Sequence, residues 1–237
     1  MSGSASTAGP LVAVLDYGIG NLRSAEKSLQ RVGADARLTA DRGLIAEAAA
    51  VVLPGVGAFG ACMDALARTG LDEVAVEAAG SGRPFLGICV GMQLLFDRSE
   101  EDPGHRGLCV VPGSVRLLPK GVKRPQMQWN RLEVVRPDHP LLSGLQGSWM
   151  YFVHSYAAVP DDPADVLATV DYGGPVVAAT ARGNVWAAQF HPEKSARAGL
   201  ELLSNFTVAA ARSGTGERSP VPADPHVRSG SGAGVER

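Results

Sequence analysis

The sequence predicts an α/β fold: a mostly parallel, doubly wound central sheet flanked by helices, with an antiparallel β-rich extension in the C-terminal half. Three observations carry the prediction. Through the first hundred residues, short apolar runs that end in glycine turns alternate with amphipathic helical segments, the pattern of parallel strands joined by right-handed crossovers. After about Gly104 the texture becomes β-rich, with Pro-Gly, Gly-Gly and Gly-Asn turns and no long helices between them. The chain has 237 residues, 45% of them hydrophobic, which is enough to bury a full core as one domain.

Taken in order, residues 1–10 (MSGSASTAGP) are small and polar, and 212–237 are rich in Gly, Ser, Pro and charge. Both read as disordered ends around a single domain over 11–211. LVAVLDYG (11–18) is a buried strand entering a glycine turn. The helix that follows, in NLRSAEKSLQRVG, sets Leu22, Ala25, Leu29 and Val32 on one face and is capped by Gly33. DARLT is a second strand, LIAEAAA a weak helix, and AVVLPG (50–55) a third strand running into a glycine loop. A helix is expected from about Phe59 to Ala79, then the strand PFLGI and the helix GMQLLFD. GLCVVPGSVRLLP, NRLEVVRPDHPLL, WMYFVHSYAAVP and DVLATVDYGGPVVAATARGNVWAAQF supply the β-rich extension. A closing helix over about 195–211 places Leu200, Leu203, Phe206 and Ala210 on the face that packs on the sheet.

Composition removes several function classes. Net charge is −2 and no Lys/Arg run forms a basic face, which argues against nucleic acid or anionic lipid as a partner. No apolar run approaches the roughly 20 residues of a spanning helix, so no membrane is expected. Cys62, Cys89 and Cys109 lack CxxC or Cys/His metal spacing, and the N-terminus lacks an apolar signal core, which points to a reducing cytoplasm. With no phosphate-binding glycine fingerprint, dinucleotide motif or metal cluster, the sequence calls for no cofactor and no metal.

The candidate site begins at Gly87-Ile88-Cys89-Val90-Gly91. A cysteine between two glycines at a strand-to-helix turn has the layout of a nucleophile elbow. A helix N-terminus favours a thiolate through its dipole and free N–H groups. The competing reading is an inert buried cysteine beside helix-packing glycines, and a base is needed to decide. Of five histidines, His226 lies in the tail, and His105 and His139 sit in Pro/Gly/Asp-rich loop sequence that reads as solvated. His191 stands at the end of the strand NVWAAQF with Glu193 two residues on, where a carboxylate can orient an imidazole that serves Cys89. The glycines of LPGVGAFG (53–60), after the third strand, can turn backbone N–H groups toward an oxyanion, with the Val90 N–H as a second donor. Cys62 and Cys109, in a helical and a strand pattern, read as structural.

Together these residues resemble the class I, triad-type glutamine amidotransferase family. LDYGIGNLRS (15–24), LPGVGAFG, GICVGMQLLF, YFVHSY (151–156) and QFHPEKS (189–195) occur in the family's order, and the resemblance spans about 11–211. It implies that Cys89 attacks the side-chain amide of glutamine, with His191 as base and Glu193 orienting it. Val56 and Gly57, with Val90, would form the oxyanion hole, and Gln93 with the backbone around Ser155 and Tyr156 would hold the substrate. The motifs are most similar to those of glutaminase subunits that pass ammonia to a separate (β/α)8 cyclase subunit in histidine biosynthesis. Segments near MQWN and WMYFV are candidates for the partner surface, although Trp129 and Trp149 also read as core. One departure is visible: the family commonly has Pro-His-x-Gly-Trp-Asn where this chain has PQMQWN (125–130). Gln128 in place of glycine implies a backbone that either has no need of positive φ there or tolerates the strain. Another amidotransferase subunit, a stand-alone hydrolase, or a silent scaffold of the same fold are the alternative readings.

Overall fold

A computed structural model describes residues 9–20 and 22–214. The predicted tails over 1–8 and 215–237 lie outside the described residues. The first half runs β1 (Leu11–Leu15), α1 (Leu22–Arg31), β2 (Asp35–Thr39), α2 (Arg42–Glu47), β3 (Ala50–Gly55), α3 (Phe59–Thr69), α4 (Leu71–Gly80), β4 (Phe85–Cys89) and α5 (Val90–Gln93). The second half contributes β5 (Arg98–Ser99), β6 (Gly113–Leu117), β7 (Gln126–Arg131), β8 (Glu133–Val134), β9 (Trp149–His154), β10 (Tyr156–Pro160), β11 (Val166–Asp171), β12 (Pro175–Arg182), β13 (Val185–Ala188) and the closing helix α6 (Ala196–Gly214).

The main sheet has eight strands in the order β2-β1-β3-β4-β13-β12-β11-β8. β2, β1, β3, β4 and β13 run parallel, and β12, β11 and β8 follow antiparallel, which is the predicted fold class. Connection length explains the change. Helical crossovers return the chain far enough for parallel pairing, whereas the Gly173-Gly174 and Gly183-Asn184 turns, with positive φ at all three glycines, allow only hairpins. Because β1 lies between β2 and β3, the chain crosses over in opposite directions on leaving β1 and β2. α1 therefore packs with α6 on one face, and α2 and α3 pack on α4 on the other. Two smaller sheets, β10-β6-β5 and β7-β9, complete the molecule. The core is one cluster, in which Phe59, Phe85, Phe96, Phe152, Phe190 and Phe206 are fully buried.

Several expectations need correction. The helix predicted over 59–79 is two helices, broken where Gly70 takes a left-handed φ of 64°. The helix predicted over GMQLLFD is the single turn α5. Beyond it the backbone carbonyls of Leu94 and Leu95 accept from the returning segment, Leu108 N–H at 2.7 Å and Val110 N–H at 2.9 Å, instead of from a continuing helix. Cys109 sits in that return at φ 54° and is exposed, not in a strand. His139, expected in solvent, is buried with its ring edge-on to Trp186, 5.0 Å between centroids. Pro10, assigned to the N-terminal tail, accepts from the Asp35 N–H at 3.0 Å, and α6 continues to Gly214 instead of ending at Ala211.

Candidate functional site

Every residue of the predicted triad lies at the carboxyl end of a parallel strand, where open α/β sheets form their crevices. β3 and β4 pair so that Gly55 is opposite Cys89, and β4 and β13 pair through Ile88 and Ala188, which carries the chain on to His191. Cys89 has φ 56° and ψ −114°, a conformation that an L residue keeps only when its surroundings impose it. Those surroundings are backbone. A Cβ on Gly91 would be driven into the Leu53 carbonyl, and one on Gly87 would lie 2.8 Å from the Gly91 carbonyl oxygen. The two glycines of the elbow thus let the turn sink against β3, as the sequence expects, although a one-turn helix carries little of the dipole assigned to it.

His191 and Glu193 meet in a short turn after β13. The imidazole Nδ1 lies 2.8 Å from Glu193 Oε1, with both side chains buried. Burial alone would favour the neutral ring. Hydrogen bonds to Cys89 and Glu193 outweigh it and raise the His191 pKa to about 9. The direction of the shift favours the protonated ring. The turn is fastened from below: the Ser195 hydroxyl donates to the His191 carbonyl at 2.6 Å and accepts from the Tyr151 N–H at 3.0 Å, and the His191 N–H donates to the Tyr151 carbonyl at 3.0 Å.

The remaining predicted residues surround this pair. Val56 is half-buried and Gly57 exposed, with φ 99° at Gly57, on the loop that leaves β3. Val90 is buried, and a Cβ on Gly55 would lie 3.1 Å from its carbonyl carbon, so the loop and the elbow are in contact. Gln93 is buried and turned inward: its Nε2 donates to the Tyr156 carbonyl at 2.9 Å and to Gln189 Oε1 at 3.0 Å. The Ser155 carbonyl accepts from the Leu118 N–H at 2.9 Å. Sequence reading quoted Gln189 and Ser195 within QFHPEKS but gave them no task. Gln189 lies beside Cys89, Nε2 to Sγ 3.9 Å, and Ser195 braces the His191 turn. Adjacency to His191 in sequence was the available signal for both.

Among the described residues no group of His, Cys, Asp and Glu is arranged to hold a metal, and no helix is long and apolar enough to cross a membrane. His105 lies between Asp102 and Asp64, at 2.9 and 3.0 Å. His154 is buried with Nδ1 2.8 Å from the Tyr156 carbonyl, and burial lowers its pKa to about 4.

The two-stranded sheet beside this site overturns a core reading. Met127, Trp129 and Arg131 of β7 face outward with Val153, Tyr151 and Trp149 of β9, and Met127 is 63%, Trp129 44% and Trp149 55% exposed. Gln128 pairs with Phe152 in regular strand and has no positive φ, in keeping with the departure from glycine.

Residues 13–210 match the family model described as glutamine amidotransferase class-I. The chain is 48% identical over 204 residues to the imidazole glycerol phosphate synthase subunit HisH of Syntrophotalea carbinolica, covering 83% of this chain and 98% of that protein. It is 51% identical over 206 residues to the subunit of the same name from Methylococcus capsulatus, covering 82% and 94%. Among solved structures, a crystal structure of a glutamine amidotransferase superposes with TM-score 0.67 at 22% identity, covering 84% of this chain and 98% of the other. The PurLQS structure from Thermotoga maritima gives 0.66 at 20%, covering 85% and 97%. By its match to that family model over most of its length, the chain belongs to the class-I glutamine amidotransferase family.

Proposed function

We propose that the chain is the glutaminase subunit of an imidazole glycerol phosphate synthase, working in the cytoplasm through a Cys89-His191-Glu193 triad. The observation that carries this reading is the buried His191, its Nδ1 2.8 Å from Glu193, just beyond the end of the strand that adjoins the one ending in Cys89. The Cys89 sulfur attacks the side-chain amide carbon of glutamine with its proton on His191. N–H groups of Val56, Gly57 and Val90 stabilise the oxyanion, and Gln93 with the backbone at Ser155 and Tyr156 holds the substrate. His191 gives its proton to the departing nitrogen, releasing ammonia and leaving a γ-glutamyl thioester. The neutral imidazole then takes a proton from water, whose attack frees glutamate and restores the sulfur.

Ammonia passes to a cyclase subunit with a (β/α)8 barrel, which uses it to convert PRFAR into imidazole glycerol phosphate and AICAR. Two features support a partner. The outward face of β7 and β9 presents Met127, Trp129 and Trp149 to solvent, the kind of aromatic patch that anchors interfaces. The same β9 is hydrogen-bonded to the His191 turn through Tyr151, so contact at this face reaches the base. Cys89 is 3% exposed, which supports low activity without the partner. The test measures glutamate and ammonia release by wild type and Cys89→Ala, with and without the cyclase. Wild type is expected to be stimulated by the cyclase and the variant to be inactive; comparable release by the variant refutes the assignment.

A further inference from the structure

Where β3 runs into the loop before α3, the segment Pro54-Gly55-Val56-Gly57 has two of its carbonyls tied by side chains from different elements. The Tyr17 hydroxyl, on the turn after β1, donates to the Pro54 carbonyl at 2.7 Å, and the residue is 3% exposed. The Cys62 thiol, in the first turns of α3, donates to the Val56 carbonyl at 3.4 Å from a fully buried position. Gly55, between those two peptides, is wedged in place: a Cβ there would meet the Tyr17 hydroxyl at 3.0 Å and the Gly91 nitrogen at 2.6 Å. We propose that Tyr17 and Cys62 are positioning residues that set the backbone of the oxyanion loop against the nucleophile elbow, an inference that rests on the glutaminase reading of the site.

The physical step is the planarity of the trans peptide. A carbonyl and the N–H that follows it point in opposite directions, so fixing the Pro54 oxygen fixes the Gly55 N–H, and fixing the Val56 oxygen fixes the Gly57 N–H. The peptide between them, which carries the Val56 N–H, is flanked on both sides by a tied peptide, so both anchors bear on its direction. Both anchors stay protonated and remain donors. Burial pushes the Tyr17 phenol above its ordinary range, with Cys62 and Cys89 adding to the rise, and burial likewise raises the Cys62 thiol. Gly57 keeps a positive φ of 99°, which its missing Cβ permits, and the direction of its N–H follows the plane of the Val56 carbonyl that Cys62 holds.

The test uses the chain in complex with its cyclase and compares Tyr17→Phe, Cys62→Ala and Cys62→Ser. Loss of an oxyanion donor costs about 10²–10³ in kcat, so loosening the loop should lower kcat for glutamate release by about tenfold in Tyr17→Phe. The drop should be smaller in Cys62→Ala, because a thiol is the weaker donor. KM should stay within about twofold, and Cys62→Ser, which keeps a donor, should recover part of the Cys62→Ala loss. Iodoacetamide alkylation of Cys89, followed by mass spectrometry, develops no oxyanion and should keep its wild-type rate in all three. Unchanged kcat in both Tyr17→Phe and Cys62→Ala overturns the proposal, as does a fall in alkylation that tracks kcat. Should Tyr17→Phe fail to fold, the contrast between Cys62→Ala and Cys62→Ser decides the matter. Cys89-dependent glutamate release by wild type tests the glutaminase reading separately, so the two failures are distinguishable.

Discussion

Cys89 and His191 are 3% and 2% exposed, while Met127 and Trp149, on the β7-β9 sheet whose Tyr151 backbone is hydrogen-bonded to His191, are 63% and 55% exposed. The corner at the ends of β3, β4 and β13 is fixed by backbone: glycines admit carbonyls at contact distance, and a positive φ is imposed on the nucleophile. The β7-β9 sheet is fixed only by its ladder and its inner side chains. Gln128, paired with Phe152, stands where the family commonly has glycine. Two of the buried histidines, His191 and His154, differ in the same way. His191 has Glu193 and Cys89 as partners, which favour its charged form, with its pKa about 9; His154, on β9, is pushed by burial to about 4 with only a backbone carbonyl to oppose it.

Substitutions can break or sharpen this comparison, and the largest effects belong to the corner. His191→Ala should lower glutamate release by at least ~10⁴-fold, and Glu193→Gln by about one to two orders of magnitude less, since an orienting carboxylate counts for less than the base. Combining either with Cys89→Ala should cost nothing more. Steady-state assays of the complex check this, and additive losses would show that the three do not act as a unit. Gly91→Ala should destabilise the fold by ~3 kcal/mol or more, because its Cβ has the Leu53 carbonyl in its place. Urea denaturation measures that loss, and a stable Gly91→Ala protein would mean that the elbow is more pliable than its contacts imply.

At the β7-β9 face the expected effects are smaller and of another kind. Trp129→Ala should weaken the affinity for the cyclase by about 10- to 100-fold while leaving the melting temperature of the isolated chain within a few degrees. Titration calorimetry and thermal melting together test that separation; a large loss of stability would return Trp129 to the core.

The smallest effects concern pH. The folded pKa of His191, about 9, lies above the ordinary 6.5, so its contribution to stability is complete below about pH 6.5 and is lost as pH rises through 9. His154 and His139, both lowered to about 4 chiefly by burial, act with the opposite sign: their contribution is complete above about pH 6.5 and lost as pH falls toward 4. Each group changes stability by at most ~1.4 kcal/mol per pH unit. Stability measured from pH 4 to 10 should therefore decline at both ends, and His139→Gln should flatten the acid side alone. Acid sensitivity that survives in a His139→Gln/His154→Gln double variant would assign it elsewhere.

The sequence alone determined the alternation of strands and helices, the mostly parallel character of the sheet, the glycine-flanked turn at Cys89 and the contact of His191 with Glu193. These are local signals: apolar periodicity, glycines flanking one cysteine, and a base two residues from its carboxylate. It misjudged features that depend on residues far apart in the chain. The helix after Cys89 ends at Gln93 because residues 108–110 return to take the Leu94 and Leu95 carbonyls. His139 is buried because Trp186 covers it, and Trp129 and Trp149 are exposed because the strand pairing turns their face away from the core. Tertiary structure also decided which side chains tie the Pro54 and Val56 carbonyls. Tyr17 lies 37 positions from Pro54, and only parallel pairing of β1 with β3 brings the ends of those strands together.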